Sequence, residues 1–106
     1  MDREQINKEL ELFKSEAAKR DYPLRNVCLV DAFEGLDNYY NIEVYANWIF
    51  EQDLSCSEAL DILLDVMYDT MSEDARRLIF IIKILDKNDK VHCVSEENAI
   101  ENVTFA

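Results

Sequence analysis

The sequence is poor in the residues from which many catalytic and metal sites are built. It contains one glycine, Gly35, one proline, Pro23, and one histidine, His92. A phosphate-binding loop or a nucleophile elbow needs several glycines, and a paired-histidine metal motif needs a second histidine. We therefore expect a protein that is not an enzyme and that holds neither a cofactor nor a metal.

Cysteine is scarce as well. Cys28, Cys56 and Cys93 are an odd number without a CxxC spacing, whereas a small secreted domain usually carries more cysteines, in pairs. This favours reduced thiols in a reducing compartment. His92 and Cys93 are neighbours in a predicted strand, where successive side chains point to opposite faces of the sheet. We therefore expect ordinary strand residues rather than a chelating pair.

Long apolar runs are also missing. No run approaches the roughly 18 residues of a membrane span, and residues 1–5 mix acidic and basic side chains, unlike a signal peptide. The length of 106 residues, with 49% hydrophobic side chains, suits one folded unit. We expect a single domain over residues 1–106 in the cytoplasm, without membrane contact.

The most informative absence is that of basic residues in the middle of the chain. Between Arg25 and Arg76 there is no lysine, arginine or histidine, yet twelve carboxylates lie from Asp31 to Asp74. Acids and bases cancel in the flanks, so this stretch accounts for the net charge of −12. Such a surface repels nucleic acid and attracts cations. The sequence therefore predicts a basic protein as partner and no direct binding of nucleic acid.

Apolar periodicity predicts an α+β fold. Helical spacing covers residues 2–20 and ends before Pro23, because the residue before proline avoids helical geometry. Strands are predicted at 26–33 and 39–50, joined by a turn that holds Gly35. Ser55 and Glu58 form a capping-box signature at the start of a second helix, which Ser72 closes or kinks.

The β-branched run 77–85 indicates a central strand buried on both faces, followed by a hairpin strand at 90–94. The tail has a short helical signal and an edge strand at 103–105. The resulting order is α-β-β-α-β-β, with an antiparallel or mixed sheet covered by helices.

The second helix carries a face of four acids that we call the acidic ridge: Glu58, Asp61, Asp65 and Asp69. Their spacing of three, four and four residues places them within about 80° of helical arc. Like charges one turn apart destabilise a helix by about 0.2–0.5 kcal/mol per pair. No basic residue on the helix relieves them, so the pattern indicates a purpose other than helix stability.

Apolar side chains border this ridge. By the same angular arithmetic, Tyr68 lies on its core-facing flank, and Ile62 and Val66 lie on its other flank. Acids bordered by apolar and aromatic groups are typical of a protein interface. The alternative is a solvated acidic face, or one neutralised by Arg76, Arg77 or Lys83 from elsewhere in the fold.

The first hairpin offers an extension of this interface. Alternation places Glu43 and Tyr45 on the open face of the second strand, and Asp37, Tyr39 and Tyr40 lie near the turn. Tyrosine supplies contact area at low entropic cost. The alternative is that these tyrosines are buried beneath the helices, which we expect for Tyr40 more than for Tyr45.

These observations lead to the expectation of a small acidic inhibitor, such as an immunity protein or antitoxin, that blocks the basic site of a nuclease toxin. One alternative is a DNA mimic of the anti-restriction or anti-CRISPR type. Another is a non-catalytic adaptor that pairs with its partner, or with itself, through the exposed strands 90–94 and 103–105.

Overall fold

The computed structural model describes residues 2–33 and 39–95. It contains α1 (Arg3–Lys19), β1 (Asn26–Asp31), β2 (Tyr40–Tyr45), α2 (Trp48–Glu51), α3 (Cys56–Thr70), α4 (Glu73–Arg77), β3 (Ile79–Leu85) and β4 (Val91–Val94). The α+β class is confirmed. The predicted turn with Asp37, and the predicted helix and strand after Ser95, lie outside the described residues.

The predicted first helix is confirmed as α1, with Asp2 as its N-cap. Its carboxyl end closes in a Schellman motif, because the Tyr22 N–H donates to the Ala17 carbonyl (2.9 Å) and the Asp21 N–H to that of Ala18 (3.2 Å). This motif needs a left-handed residue, usually glycine. Here Asp21 takes that position, with φ of 66°.

The four strands form one mixed sheet in the order β1-β2-β3-β4. The β1–β2 and β3–β4 pairs are antiparallel, whereas β2 and β3 run parallel. A parallel pair needs a crossover connection, and α2, α3 and α4 supply it. The predicted central position of the 77–85 segment is confirmed, since β3 lies between β2 and β4.

The helices cover one face of this sheet. In the β2–β3 register, Ile42 pairs with Ile82 and Val44 with Ile84, and all four side chains are fully buried. They share a core with the buried residues of α1 and α3: Ile6, Leu10, Phe13, Ala17, Ala59, Leu63, Leu64, Val66 and Met67. The residues that alternate with them form the other side, which we call the open sheet face. Among the described helices, none has the length and apolarity to cross a membrane.

The predicted strand 39–50 is too long. It ends at Tyr45, and a short helix begins at Trp48. Trp48 and Ile49 are both buried, at 3% and 1% exposure, whereas a continued strand would turn one of these neighbours away from the core, to the open sheet face. A helical turn directs both side chains into the core, and this burial outweighs the continued alternation of the sequence.

The segment after α3 also differs from its prediction. Ser72 caps a new helix, α4, by accepting a hydrogen bond at Oγ from the Ala75 N–H (3.2 Å). The buried Glu9 carboxylate accepts from the Ser72 N–H (2.5 Å) and hydroxyl (3.2 Å). The following strand therefore begins at Ile79. It is buried on its core face, whereas Ile81 and Lys83 on the open sheet face are only half-buried.

Candidate binding surfaces

The acidic ridge lies on the solvent side of α3. The predicted capping box is present, since the Glu58 N–H donates to Ser55 Oγ (3.1 Å) and the Glu58 carboxylate accepts from the Ser55 N–H (3.4 Å). This fixes the first turn of α3, while its opposite face packs into the core. Each of the four ridge acids is exposed.

One ridge acid is neutralised, and by a residue that the sequence did not indicate. Arg20, at the end of α1, pairs with Asp69 at 2.6 Å and with Glu16 at 2.9 Å. Both hydrogen bonds raise the pKa of Arg20 above its ordinary value, and the bond with Asp69 has the larger effect. Asp61 and Asp65 have no ion-pair partner within residues 2–33 and 39–95.

Among the described residues, none of the three bases expected as alternatives for neutralising the ridge forms an ion pair with it. The Arg76 guanidinium lies over the Tyr68 ring, 4.1 Å from its centroid, and Arg77 pairs with Glu73 at 2.8 Å within α4. Lys83 stands opposite Glu43 in the β2–β3 register. Asp61 and Asp65 therefore remain the two unpaired carboxylates at the centre of the ridge in this part of the chain.

The apolar flanks of the ridge are smaller than expected. Val66 is 1% exposed and belongs to the core, so its predicted place at an interface is wrong. It lies further around the helix than Ile62, and α3 sinks deep enough into the core to bury it. Ile62 and Tyr68 are half-buried beside the acids, where each presents part of its side chain to the surface.

Glu43 and Tyr45 do not adjoin the ridge. Both are half-buried on the open sheet face, whereas α3 packs on the other face. Tyr39 is exposed, and its ring meets that of Phe33 edge-on with centroids 6.2 Å apart. Tyr40 is buried in the core. The predicted site residues on α3 and those of the first hairpin therefore lie on two separate surfaces.

Tyr45 has a mixed environment on the open sheet face. The Arg25 guanidinium lies 5.6 Å from its ring centroid and is itself held by Asn47 and the Asp86 carbonyl. Burial, followed by the nearby Glu43 carboxylate, raises the pKa of the Tyr45 hydroxyl above its ordinary value. Tyr45 therefore stays neutral and offers a ring face already occupied by a cation.

The expectation of reduced thiols is wrong for two of the three cysteines. Cys56, the first residue of α3, and Cys93 of β4 form a disulfide across a separation of 37 residues, with Cα atoms 5.6 Å apart. Cys28 is the free cysteine. No spacing pattern in the sequence indicates this pairing, because the packing of α3 against the sheet brings the two cysteines together.

The expected orientation of His92 is also wrong. Leu85 pairs with Val91 and Ile84 with Cys93, so His92 is an extra residue in β4. Such a β-bulge interrupts the alternation of side chains. One ring nitrogen of His92 and the sulfurs of Cys56 and Cys93 lie within 4.8 Å of one another. No sequence signal marks a bulge in so short a strand.

Comparison of the chain with protein-family models, with curated proteins and with solved structures found no match.

Proposed function

We propose that this protein is a small, non-catalytic acidic inhibitor that binds a cationic protein through the acidic ridge. In its most specific form, the proposal is an immunity protein or antitoxin that acts in the cytoplasm and blocks the basic site of a nuclease toxin. The observation that carries the proposal is the pair Asp61 and Asp65. They are exposed, lie on successive turns of α3 and have no ion-pair partner in the described chain.

Charge and apolar contact have different roles in this proposal. A basic cleft that attracts phosphate also attracts carboxylates, so the net charge of −12 speeds the encounter. Ile62 and Tyr68, half-buried beside the ridge, supply contacts that are desolvated on binding and slow release. Asp69 contributes less, because Arg20 already pairs with it.

The spacing of the charges supports a dedicated inhibitor over a DNA mimic. A duplex carries one charge per about 1.7 Å of its axis, whereas acids four residues apart on a helix are separated by about 6 Å. Mimicry needs further acids beside the ridge, but Glu43 lies on the open sheet face. A dedicated inhibitor needs only a local match with one partner.

An adaptor that binds through a sheet edge is the second candidate. It is favoured by β4, which forms one edge of the described sheet and exposes Val91 and Val94 by about half. An unpaired edge is a template for strand addition. In that case the partner pairs with β4, and the ridge gives only solubility.

Affinity capture from the source cell with matched variants tests the proposal. The ridge variant is Asp61→Lys with Asp65→Lys. The control variant is Glu4→Lys with Glu11→Lys, which changes the net charge equally on exposed positions of α1. These two lie at least about 140° around α1 from Glu9, which contacts Ser72.

The proposal expects a basic protein that wild type and the control variant retain, that the ridge variant loses, and whose nuclease activity wild type inhibits. Retention by the ridge variant with loss from Val94→Lys would support the adaptor instead. Displacement of several unrelated basic proteins by duplex DNA would support mimicry. Circular dichroism establishes beforehand that each variant folds.

A further inference from the structure

Three side chains that can bind a metal, His92 and Cys93 of β4 and Cys56 of α3, lie close together. The bulge at His92 lets its imidazole lie near Cys93 rather than on the opposite face of β4. Cys56 approaches from the first turn of α3, and its sulfur also lies 3.7 Å from the His92 carbonyl oxygen. Bulges often redirect side chains at functional sites.

The three side chains are held by well-packed elements. Cys93 is 3% exposed, and it packs in the core. The His92 ring leans on that of Phe50 from α2, with centroids 4.7 Å apart. Cys56 is half-buried and follows the N-cap of α3. The cluster therefore combines a buried sulfur, a half-buried sulfur and an exposed imidazole.

We propose that reduction of the Cys56–Cys93 disulfide converts this cluster into a zinc site, with Cys56, Cys93 and His92 as ligands. Two thiolates and one imidazole are donors that zinc prefers. Zinc takes four ligands in tetrahedral geometry, so the fourth position is filled by water or by a side chain of a partner. This inference is independent of the proposed inhibitor function.

The conversion balances with a dithiol as reductant. The dithiol gives two electrons and two protons to the disulfide and itself becomes a disulfide, which leaves two protein thiols. Zinc binding releases both thiol protons as two Zn–S bonds and one Zn–N bond form. Sulfurs bound to one tetrahedral zinc at about 2.3 Å lie about 3.8 Å apart.

The disulfide and the zinc site connect the same elements. Either one links the first turn of α3, and with it the start of the acidic ridge, to β4 at the sheet edge. In a reducing compartment a disulfide is not maintained, whereas thiolates there are free to bind metal. The zinc form thus keeps α3 anchored where the disulfide is lost.

Metal titration of the reduced protein tests this inference. The protein is reduced with dithiothreitol, freed of it without air, and titrated with Co²⁺ and then Zn²⁺. We expect one equivalent of Co²⁺ to give thiolate charge-transfer absorption and tetrahedral ligand-field bands, which Zn²⁺ then removes. Oxidised protein should show neither. Cys28→Ser is the matched control and should bind like wild type.

Variants separate the three ligands. Cys56→Ser should abolish the charge-transfer band, and His92→Phe, which keeps a ring against Phe50, should weaken Zn²⁺ binding at least about tenfold. Circular dichroism checks that both fold. Absence of the thiolate band in reduced wild type would overturn the inference, as would its persistence in Cys56→Ser or its loss in Cys28→Ser.

Discussion

At the residue scale, aspartate takes the place of glycine at the left-handed positions of residues 2–33 and 39–95. Asp21, Asp53 and Asp89 have φ of 66°, 53° and 61°. A Cβ atom is disfavoured in this region, and aspartate and asparagine tolerate it better than most residues. The sequence has only one glycine, so these aspartates close α1, follow α2 and shape the β3–β4 turn.

The end of α1 gives a direct test of this substitution. Asp21→Gly should be more stable than Asp21→Ala by about 1 kcal/mol, because alanine bears the steric cost of the left-handed conformation. Urea denaturation of the two variants gives the difference. Equal stability would mean that the Schellman motif does not hold Asp21 at positive φ in solution.

Asp86 confers a stability that depends on pH. Its Oδ1 accepts hydrogen bonds from the N–H groups of Lys90 (3.1 Å) and Asn88 (2.8 Å). Both bonds lower the pKa of Asp86 below its ordinary value of 3.8, and the bond from Lys90 has the larger effect. The stabilisation is therefore present above pH 3.8, the pKa of an ordinary aspartate. It is lost as the pH falls through the lower pKa that Asp86 has in the folded protein.

Asp86→Asn removes this charge while keeping an oxygen acceptor. We expect the variant to be less stable than wild type near neutral pH, and the difference to vanish in acid, where wild-type Asp86 is protonated as well. Denaturation midpoints measured at about pH 7 and about pH 2 provide the check. A difference of equal size at both pH values would contradict the assigned cause.

At the element scale, the Cys56–Cys93 disulfide ties α3 to β4 and closes a long stretch of chain. For a separation of 37 residues, the loss of loop-closure entropy in the unfolded state corresponds to about 4 kcal/mol. We expect reduction in the presence of a zinc chelator to lower the free energy of unfolding by about that amount. Chemical denaturation with and without reductant measures it.

Two variants complete that experiment. Cys28→Ser should respond to reduction as wild type does, because Cys28 is free. Cys56→Ala with Cys93→Ala should already be destabilised and should not respond. A wild-type protein whose stability is unchanged by reduction would show that the bond does not form in solution.

The sequence predicted the long elements well. Four apolar residues at helical spacing identify α1, and the signature of Ser55 and Glu58 identifies the start of α3 to the residue. The hairpin pairs also follow from periodicity, since β1, β2 and β4 begin within one residue of their predicted starts. Periodicity and capping are local, so a single sequence reveals them.

The errors arise where tertiary packing overrides a local pattern. The helical turn at Trp48 and Ile49 forms because both side chains enter the core. Val66 is buried because α3 packs closely against the core. Arg20 reaches Asp69 because α1 packs beside α3. The disulfide with Cys93 likewise depends on two elements far apart in sequence. The spacing of residues along the sequence predicts none of these contacts.

At the scale of the whole molecule, charge is distributed unevenly. Four arginines of the flanks form ion pairs: Arg3 with Asp31, Arg20 with Asp69, Arg25 with Asp89, and Arg77 with Glu73. The centre of the acidic ridge has no such ion pair in the described residues. We therefore expect the position of the ridge, and not only the net charge, to determine which partner is bound.

The association rate constant of the captured partner is the most direct test of that claim. It is measured for wild type, for Asp61→Lys with Asp65→Lys, and for Glu4→Lys with Glu11→Lys, at low and at physiological ionic strength. We predict that the ridge variant associates at least about tenfold more slowly than wild type at low salt, whereas the control variant changes far less. Equal slowing in both variants would show that only net charge matters, and no slowing in either would contradict the ridge as the binding site.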